Sequence, residues 1–195
     1  AIAVTGPHLC GMGGDLFALV HHQGRVECRN ASGRSGSAAD AAAVRADGHS
    51  VMPFRHDIRT VTVPGCVDGW VALHQRFGSL PLGTLLAPAI RLASEGFPAS
   101  PLLVGSLARL DAQARGTLHE LVGQAHRPND RVRRPGVANA LRAIAEGGRE
   151  AFYTGDFGRG LLQLGNGWYT EADLARSQAE WVTPLQAQAW GVDLF

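Results

Sequence analysis

Three groups of residues could carry chemistry on their own: the glycine cluster Gly11-Met12-Gly13-Gly14, the thiol of Cys66, and the histidines His8, His21 and His22. A phosphate-cradling fingerprint needs Gly-x-Gly-x-x-Gly between a strand and a helix. Here Leu16 stands where the third glycine belongs, and the residues that follow read as a strand. The cluster therefore reads as a tight turn or a close backbone approach entering a core strand. Cys66 has no base identifiable near it and reads as a small buried thiol. His21 and His22 are neighbours, so in a strand they face opposite ways and cannot chelate one ion. His8 with Cys10 lacks two further ligands at usable spacing. No metal site and no cofactor are expected.

Composition narrows the class. The 195 residues are 45% hydrophobic, enough for one domain with a real core, residues 1–195. The net charge is +1, from 18 basic and 17 acidic residues, which gives no support for nucleic acid or a membrane surface as partner. Every basic side chain apart from histidine is arginine. In so Arg-biased a chain, any one arginine needs further support before it is given a role. Three cysteines without a Cys-x-x-Cys pair argue against a disulfide framework and fit a cytoplasmic protein. No apolar run has the length of a membrane span. The chain opens on Ala1-Ile2-Ala3-Val4 without Met and closes on Trp190 to Phe195, both reading as core elements. The expectation is a piece of something larger, truncated at both ends.

The elements that must position any site follow from pattern. Leu16 to His21 and Arg25 to Ala31 read as a hairpin with a slightly long loop at His22-Gln23-Gly24. An Ala-rich stretch within 32–50 predicts a short helix, and Val61-Thr62-Val63 a short strand stopped by Pro64-Gly65. Helices are predicted from Asp68 to Phe77, from a cap at Thr84 to Gly96, from Pro101 to about Arg115, and from Val137 to Glu146. Residues 116–134 read as loop. Phe157 to Leu164 is amphipathic, and Thr170-Glu171-Ala172-Asp173 has the form of a capping box. Trp70, Trp168, Trp181 and Trp190 read as core or interface aromatics. Strands at both ends with helices between them define an α+β class.

Several stretches, in order, resemble the γ-glutamyltranspeptidase family and its acylase-like branch. They are Pro7 to Phe17 around the glycine cluster, Val61-Thr62-Val63-Pro64-Gly65 with the helix after it, and Leu85-Leu86-Ala87-Pro88-Ala89-Ile90. Glu95-Gly96-Phe97-Pro98-Ala99-Ser100, Ala151-Phe152-Tyr153-Thr154-Gly155 and Thr170 to Leu174 continue the series. The resemblance spans nearly the whole chain. It implies the large-subunit part of a four-layer αββα N-terminal-nucleophile hydrolase sandwich, made as a proenzyme that cuts itself in two.

The resemblance also implies where the chemistry lies. The nucleophile is a Thr exposed at the new N-terminus of the small subunit, downstream of Phe195, so no catalytic residue is expected within this chain. The large subunit contributes an arginine for the substrate carboxylate, and a guanidinium fork matches a carboxylate with two charge-assisted hydrogen bonds. The family's arginine position aligns with Ser32. Arginines stand two residues later, at Arg34, and three earlier, at Arg29. Strand alternation puts Ser32 and Arg34 on one face and Arg29 on the other. Arg34, with Ser32 and Asn30, is the expected substrate-binding set, and Arg29 is the alternative. The departure fits the acylase-like branch and leans away from glutathione. The implied function is cleavage or transfer of γ-glutamyl or N-acyl groups through an acyl-Thr intermediate, with the small subunit as partner. A catalytically inactive binding protein of the same family is the other reading.

Overall fold

The computed structural model describes residues 1–195. In chain order the elements are α1 (Ile2–Thr5), β1 (Leu16–His22), β2 (Arg25–Ala31), α2 (Ala41–Ala46), a 3-10 turn (Ile58–Thr60), α3 (Cys66–Phe77) and α4 (Leu82–Glu95). Then come β3 (Phe97–Pro98), α5 (Pro101–Ala108), α6 (Ala112–Thr117), α7 (His119–Val122), β4 (Arg131–Val132) and α8 (Pro135–Tyr153). The chain ends with α9 (Asp156–Gly165), α10 (Glu171–Ala175), β5 (Glu180–Val182), β6 (Ala187–Ala189) and β7 (Val192–Leu194).

The sheet that organises the molecule is antiparallel, in the order β1-β2-β5. Its hairpin is tighter than the sequence suggested. Gln23 and Gly24 both have positive φ, 50° and 76°, the primed-turn geometry whose twist suits a two-residue loop. Register pairs Phe17 with Asn30, Leu19 with Cys28, and Arg29 with Trp181. One face is covered by α3: His22 and Trp181 both meet Phe77 edge-on, at 5.4 and 5.7 Å between ring centres. The other face is bare. Phe17 and Leu19 are 67% and 54% exposed, and Val182 extends the same apolar surface.

The main core lies on the helical side. Ala89 and Ala93 of α4 meet Leu141 and Ile144 of α8, with Phe97, Leu103 and Val132 closing the space between them. Helix α4 begins at Leu82, two residues before the predicted cap at Thr84, so Pro88 sits in its interior. Proline there removes one helical hydrogen bond, and its position on the exposed side leaves the freed carbonyl to water. Gly96 ends α4 at φ 102°, as predicted. The helix from Pro101 stops at Ala108 and resumes as two short pieces, because Asp111 caps Ala114 N–H and restarts the chain. The segment 116–134, read as loop, contains α7 and β4.

Helix α8 continues past Gly147-Gly148, where the sequence predicted its end. Gly148 takes φ 61° and ψ −139°, a non-helical geometry that kinks the helix and re-aims its last turn. That turn carries Arg149, Phe152 and Tyr153 back toward the sheet. Phe152 stacks on Phe157 of α9 at 4.0 Å between ring centres. Val61-Thr62-Val63 forms no strand of its own and makes a single antiparallel bridge from Val63 to Arg34. The predicted capping box is present in full at Thr170 and Asp173. Residues 187–194 form a separate exposed hairpin, with Trp190 at its turn 93% exposed, so that tryptophan is not part of this chain's core.

Candidate functional site

Strand β2 ends at Ala31, and residues 32–37 then run between two walls. One wall is Thr62 to Gly65, ahead of α3; the other is the segment 168–180. Ser32 carbonyl accepts from Thr62 Oγ1 at 3.2 Å, and Arg34 carbonyl accepts from Val63 N–H at 2.8 Å. Gly33 lies between them at φ 84°, and a Cβ there would fall 2.0 Å from Val63 oxygen. Only glycine permits so close an approach in that conformation. Strand alternation therefore does not carry from Ser32 to Arg34, and the side chain of Arg34 is placed by its partners instead.

Those partners come from the far end of the chain. Arg34 N–H donates to Gln178 Oε1 at 3.1 Å. The Arg34 guanidinium pairs with the Glu180 carboxylate, and its Nε has no partner at all. Ser37 donates to Asp173 through both N–H and hydroxyl, at 3.0 and 2.9 Å, which extends the seam. Asn30 Oδ1 accepts the Ser32 N–H at 3.1 Å, a local turn that fixes the strand's exit. The structure thus brings Asn30, Ser32 and Arg34 together at one end of the bare sheet face.

It separates the two candidate arginines. Arg29 points to the covered side, 6% exposed, and donates to Ala179 carbonyl at 2.9 Å. Its guanidinium lies 4.8 Å from the Trp181 ring, with Arg76 on the same ring at 4.4 Å. Burial lowers its pKa, partly opposed by the charge of Asp68. Arg29 is committed to holding β5 against β2, whereas the Arg34 side chain is 38% exposed.

Behind the seam sits a buried polar knot. Asp68, in the first turn of α3 and 4% exposed, accepts from Gln178 N–H at 2.5 Å and Arg149 Nε at 3.1 Å. Arg149 also donates to the carbonyls of Leu174 and Arg176. Tyr153 hydroxyl donates to Pro64 carbonyl. Burial raises the Tyr153 pKa far above the ordinary phenol value, so it acts as a neutral donor. Burial likewise pushes the Cys66 thiol up to about 11, with Cys10 and Asp15 nearby adding to the shift, and the thiol is a core residue. Asp68, Arg149, Tyr153, Gln178 and Glu180 were not expected as site neighbours. The one hint in the sequence was a carboxylate at Asp68, three residues after Gly65 and among apolar neighbours.

A cavity of about 680 Å³ lies elsewhere, between Gly11-Met12-Gly13 and the helices α8 and α9, with Arg134 and Asn139 on its wall. Neither Arg34 nor its neighbours line it, so it and the Arg34 seam are two places rather than one.

Helices packed on one face of an antiparallel sheet define an α+β fold of the N-terminal-nucleophile hydrolase class. Comparison with known proteins agrees. The sequence profile described as Gamma-glutamyltranspeptidase matches residues 1–195, and the chain belongs to that family. It is 33% identical over 210 residues to the glutathione hydrolase-like YwrD proenzyme of Bacillus subtilis (strain 168), covering 100% of this chain and 38% of that relative. It is 36% identical to the oxamate amidohydrolase proenzyme of Klebsiella pneumoniae, covering 84% of this chain and 33% of that relative. Among solved structures, cephalosporin acylase from Bacillus halodurans superposes with a TM-score of 0.88 at 32% identity, covering 98% of this chain and 38% of that one. Gamma-glutamyltranspeptidase from Pseudomonas nitroreducens gives 0.85 at 26% identity, covering 99% and 59%. The chain therefore spans well under half the length of these curated relatives. No helix is long and apolar enough to cross a membrane.

Proposed function

We propose that this chain is the large-subunit portion of a two-subunit acyltransferase or amidohydrolase whose nucleophilic Thr lies on a small subunit downstream of Phe195. The observation that carries this reading is the bare apolar face of Phe17, Leu19 and Val182, with Arg34 at its edge. A sheet face of that kind demands a covering layer. The proenzyme relatives, of which this chain spans 38% and 33%, have the remaining length to supply it.

The chemistry would run as follows in the assembled protein. The Thr hydroxyl attacks the amide carbon, and the residue's own α-amine takes the proton. That amine, with an unperturbed pKa of about 8, is present in part as free base near neutral pH. The C–N bond breaks, the departing amine receives the proton, and an acyl-Thr ester remains. Water then returns the acid and the free Thr; an acceptor amine would instead form a new amide. This chain's part is to bind the acyl group. Arg34 offers its fork to an acyl-group carboxylate, exchanging contact with Glu180 for contact with substrate. Two relatives are named for glutathione and for oxamate, compounds that both carry a carboxylate, which suits one guanidinium serving either.

The test is to incubate the longer protein with γ-glutamyl and N-acyl p-nitroanilides and read subunit masses during turnover. An added acyl mass on the smaller chain supports the reading. Turnover with the acyl group on this chain, or on neither, contradicts it.

A further inference from the structure

The strongest unassigned feature is the link from the buried knot to Arg34. Gln178 is 4% exposed and makes four hydrogen bonds in different directions. Its N–H goes to Asp68 at 2.5 Å, and its Nε2 to the carbonyls of Asp173 and Arg176 at 2.9 and 2.8 Å. Its one remaining side-chain acceptor, Oε1, takes the Arg34 N–H. Two carbonyls thus hold the side chain, and Asp68 holds its backbone, before Oε1 meets Arg34. Asp68 is fixed in turn by Arg149, which is itself tied to Leu174 and Arg176. Nothing in this arrangement touches the Arg34 guanidinium; all of it acts on the backbone from which that guanidinium projects. Meanwhile the guanidinium has a single partner, the half-exposed Glu180 carboxylate, and its buried Nε is unpartnered.

We infer that Gln178, locked by the Asp68–Arg149 pair, is a positioning residue that sets where Arg34 presents its guanidinium to an acyl-group carboxylate. The inference rests on the proposed role of Arg34. A rigid backbone anchor beneath a part-exposed guanidinium suits a binding site, because less ordering remains to be done when the ligand arrives. Gln178 does not contact substrate.

The test uses the assembled two-subunit protein with γ-glutamyl-p-nitroanilide as probe. Gln178→Met removes three side-chain hydrogen bonds, one of them the bond that aims Arg34, and should raise KM about tenfold with kcat within about twofold. Arg34→Ala should raise KM at least as much, and the double variant should be no worse than Arg34→Ala alone, because both act through one contact. Gln178→Asn keeps an amide that can both donate and accept, one methylene shorter, so its KM should lie between those of the parent and Gln178→Met; it also serves if the Met variant fails to fold. Amide exchange of the Arg34 peptide should quicken in Gln178→Met, a readout that needs no substrate. Multiplicative KM effects in the double variant, or a fall in kcat at constant KM, would overturn the positioning role. Arg34→Ala with unchanged KM would overturn the substrate contact itself, and the exchange measurement tells the two failures apart.

Discussion

Asp68 and Gln178 stand 110 residues apart in sequence, yet the buried carboxylate of one accepts the backbone N–H of the other at 2.5 Å. That contact joins the start of α3 to the segment just before β5, and so closes the sheet edge over the Arg34 seam. Asp68 also neutralises Arg149, whose side chain is 22% exposed. Replacing Asp68 by Ala leaves a largely buried cation and an orphaned N–H, and should cost about 3–5 kcal/mol. Denaturant unfolding of Asp68→Ala against the parent measures this directly. A change below about 1 kcal/mol would mean the knot is far more solvated than its geometry indicates.

Tyr153 reaches the same region from the kinked end of α8. Its hydroxyl is the side-chain donor to the buried Pro64 carbonyl. Tyr153→Phe keeps the ring and its packing on Phe152 but strands that carbonyl, at an expected cost of about 1–3 kcal/mol. Thermal unfolding of the variant checks it; an unchanged midpoint would show that the carbonyl finds water.

Acid should destabilise the fold in a definite window. The Arg59 guanidinium beside Asp57 holds its carboxyl at about 2, below the usual carboxylate value near 3.9. Asp111 is lowered by the Ala114 N–H and by His56. At Asp173 burial works upward, but hydrogen bonds from Ser37 and Thr170 outweigh it and the net shift is down. Each depressed carboxylate binds fewer protons folded than unfolded, so its contribution is present above the ordinary carboxylate pKa and is lost as pH falls through the lowered one, which for Asp57 is about 2. The melting temperature should fall across that window, and Asp57→Asn should flatten part of the fall. A parallel curve for Asp57→Asn would contradict the assignment.

Cys66 should resist alkylation in the folded protein. The thiolate is the reactive form, and burial pushes this thiol up to about 11. Iodoacetamide at neutral pH should label Cys66 only after unfolding, as read by peptide mass. Rapid labelling in the folded state would mean that the N-terminus of α3 opens.

Much of this architecture was legible in the sequence, and the gaps have physical causes. The hairpin, the α+β order, the stop at Gly96 and the Thr170–Asp173 capping box are written in local patterns of alternation, glycine and capping. The helix break at Ala108 and the run of α8 through Gly148 are not local. Asp111 restarts one helix by capping it, and Gly148 redirects the other so that Phe152 can stack on Phe157. At the site, alternation set Arg29 on the face opposite Ser32 but could not reach Arg34, because Gly33 at φ 84° ends the strand's periodicity. Gln178, 144 residues from Arg34, lies beyond any sequence spacing rule.

The central proposal is that this chain is one part of a self-cleaving Thr-nucleophile enzyme. The most direct measurement takes the protein together with the residues that follow Phe195, and determines its subunit masses and the N-terminal residue of the smaller fragment. Two fragments, the smaller beginning with Thr, are predicted. A single uncut chain, or a new N-terminus without a hydroxyl or thiol, would contradict the account and favour a binding protein built on the same fold.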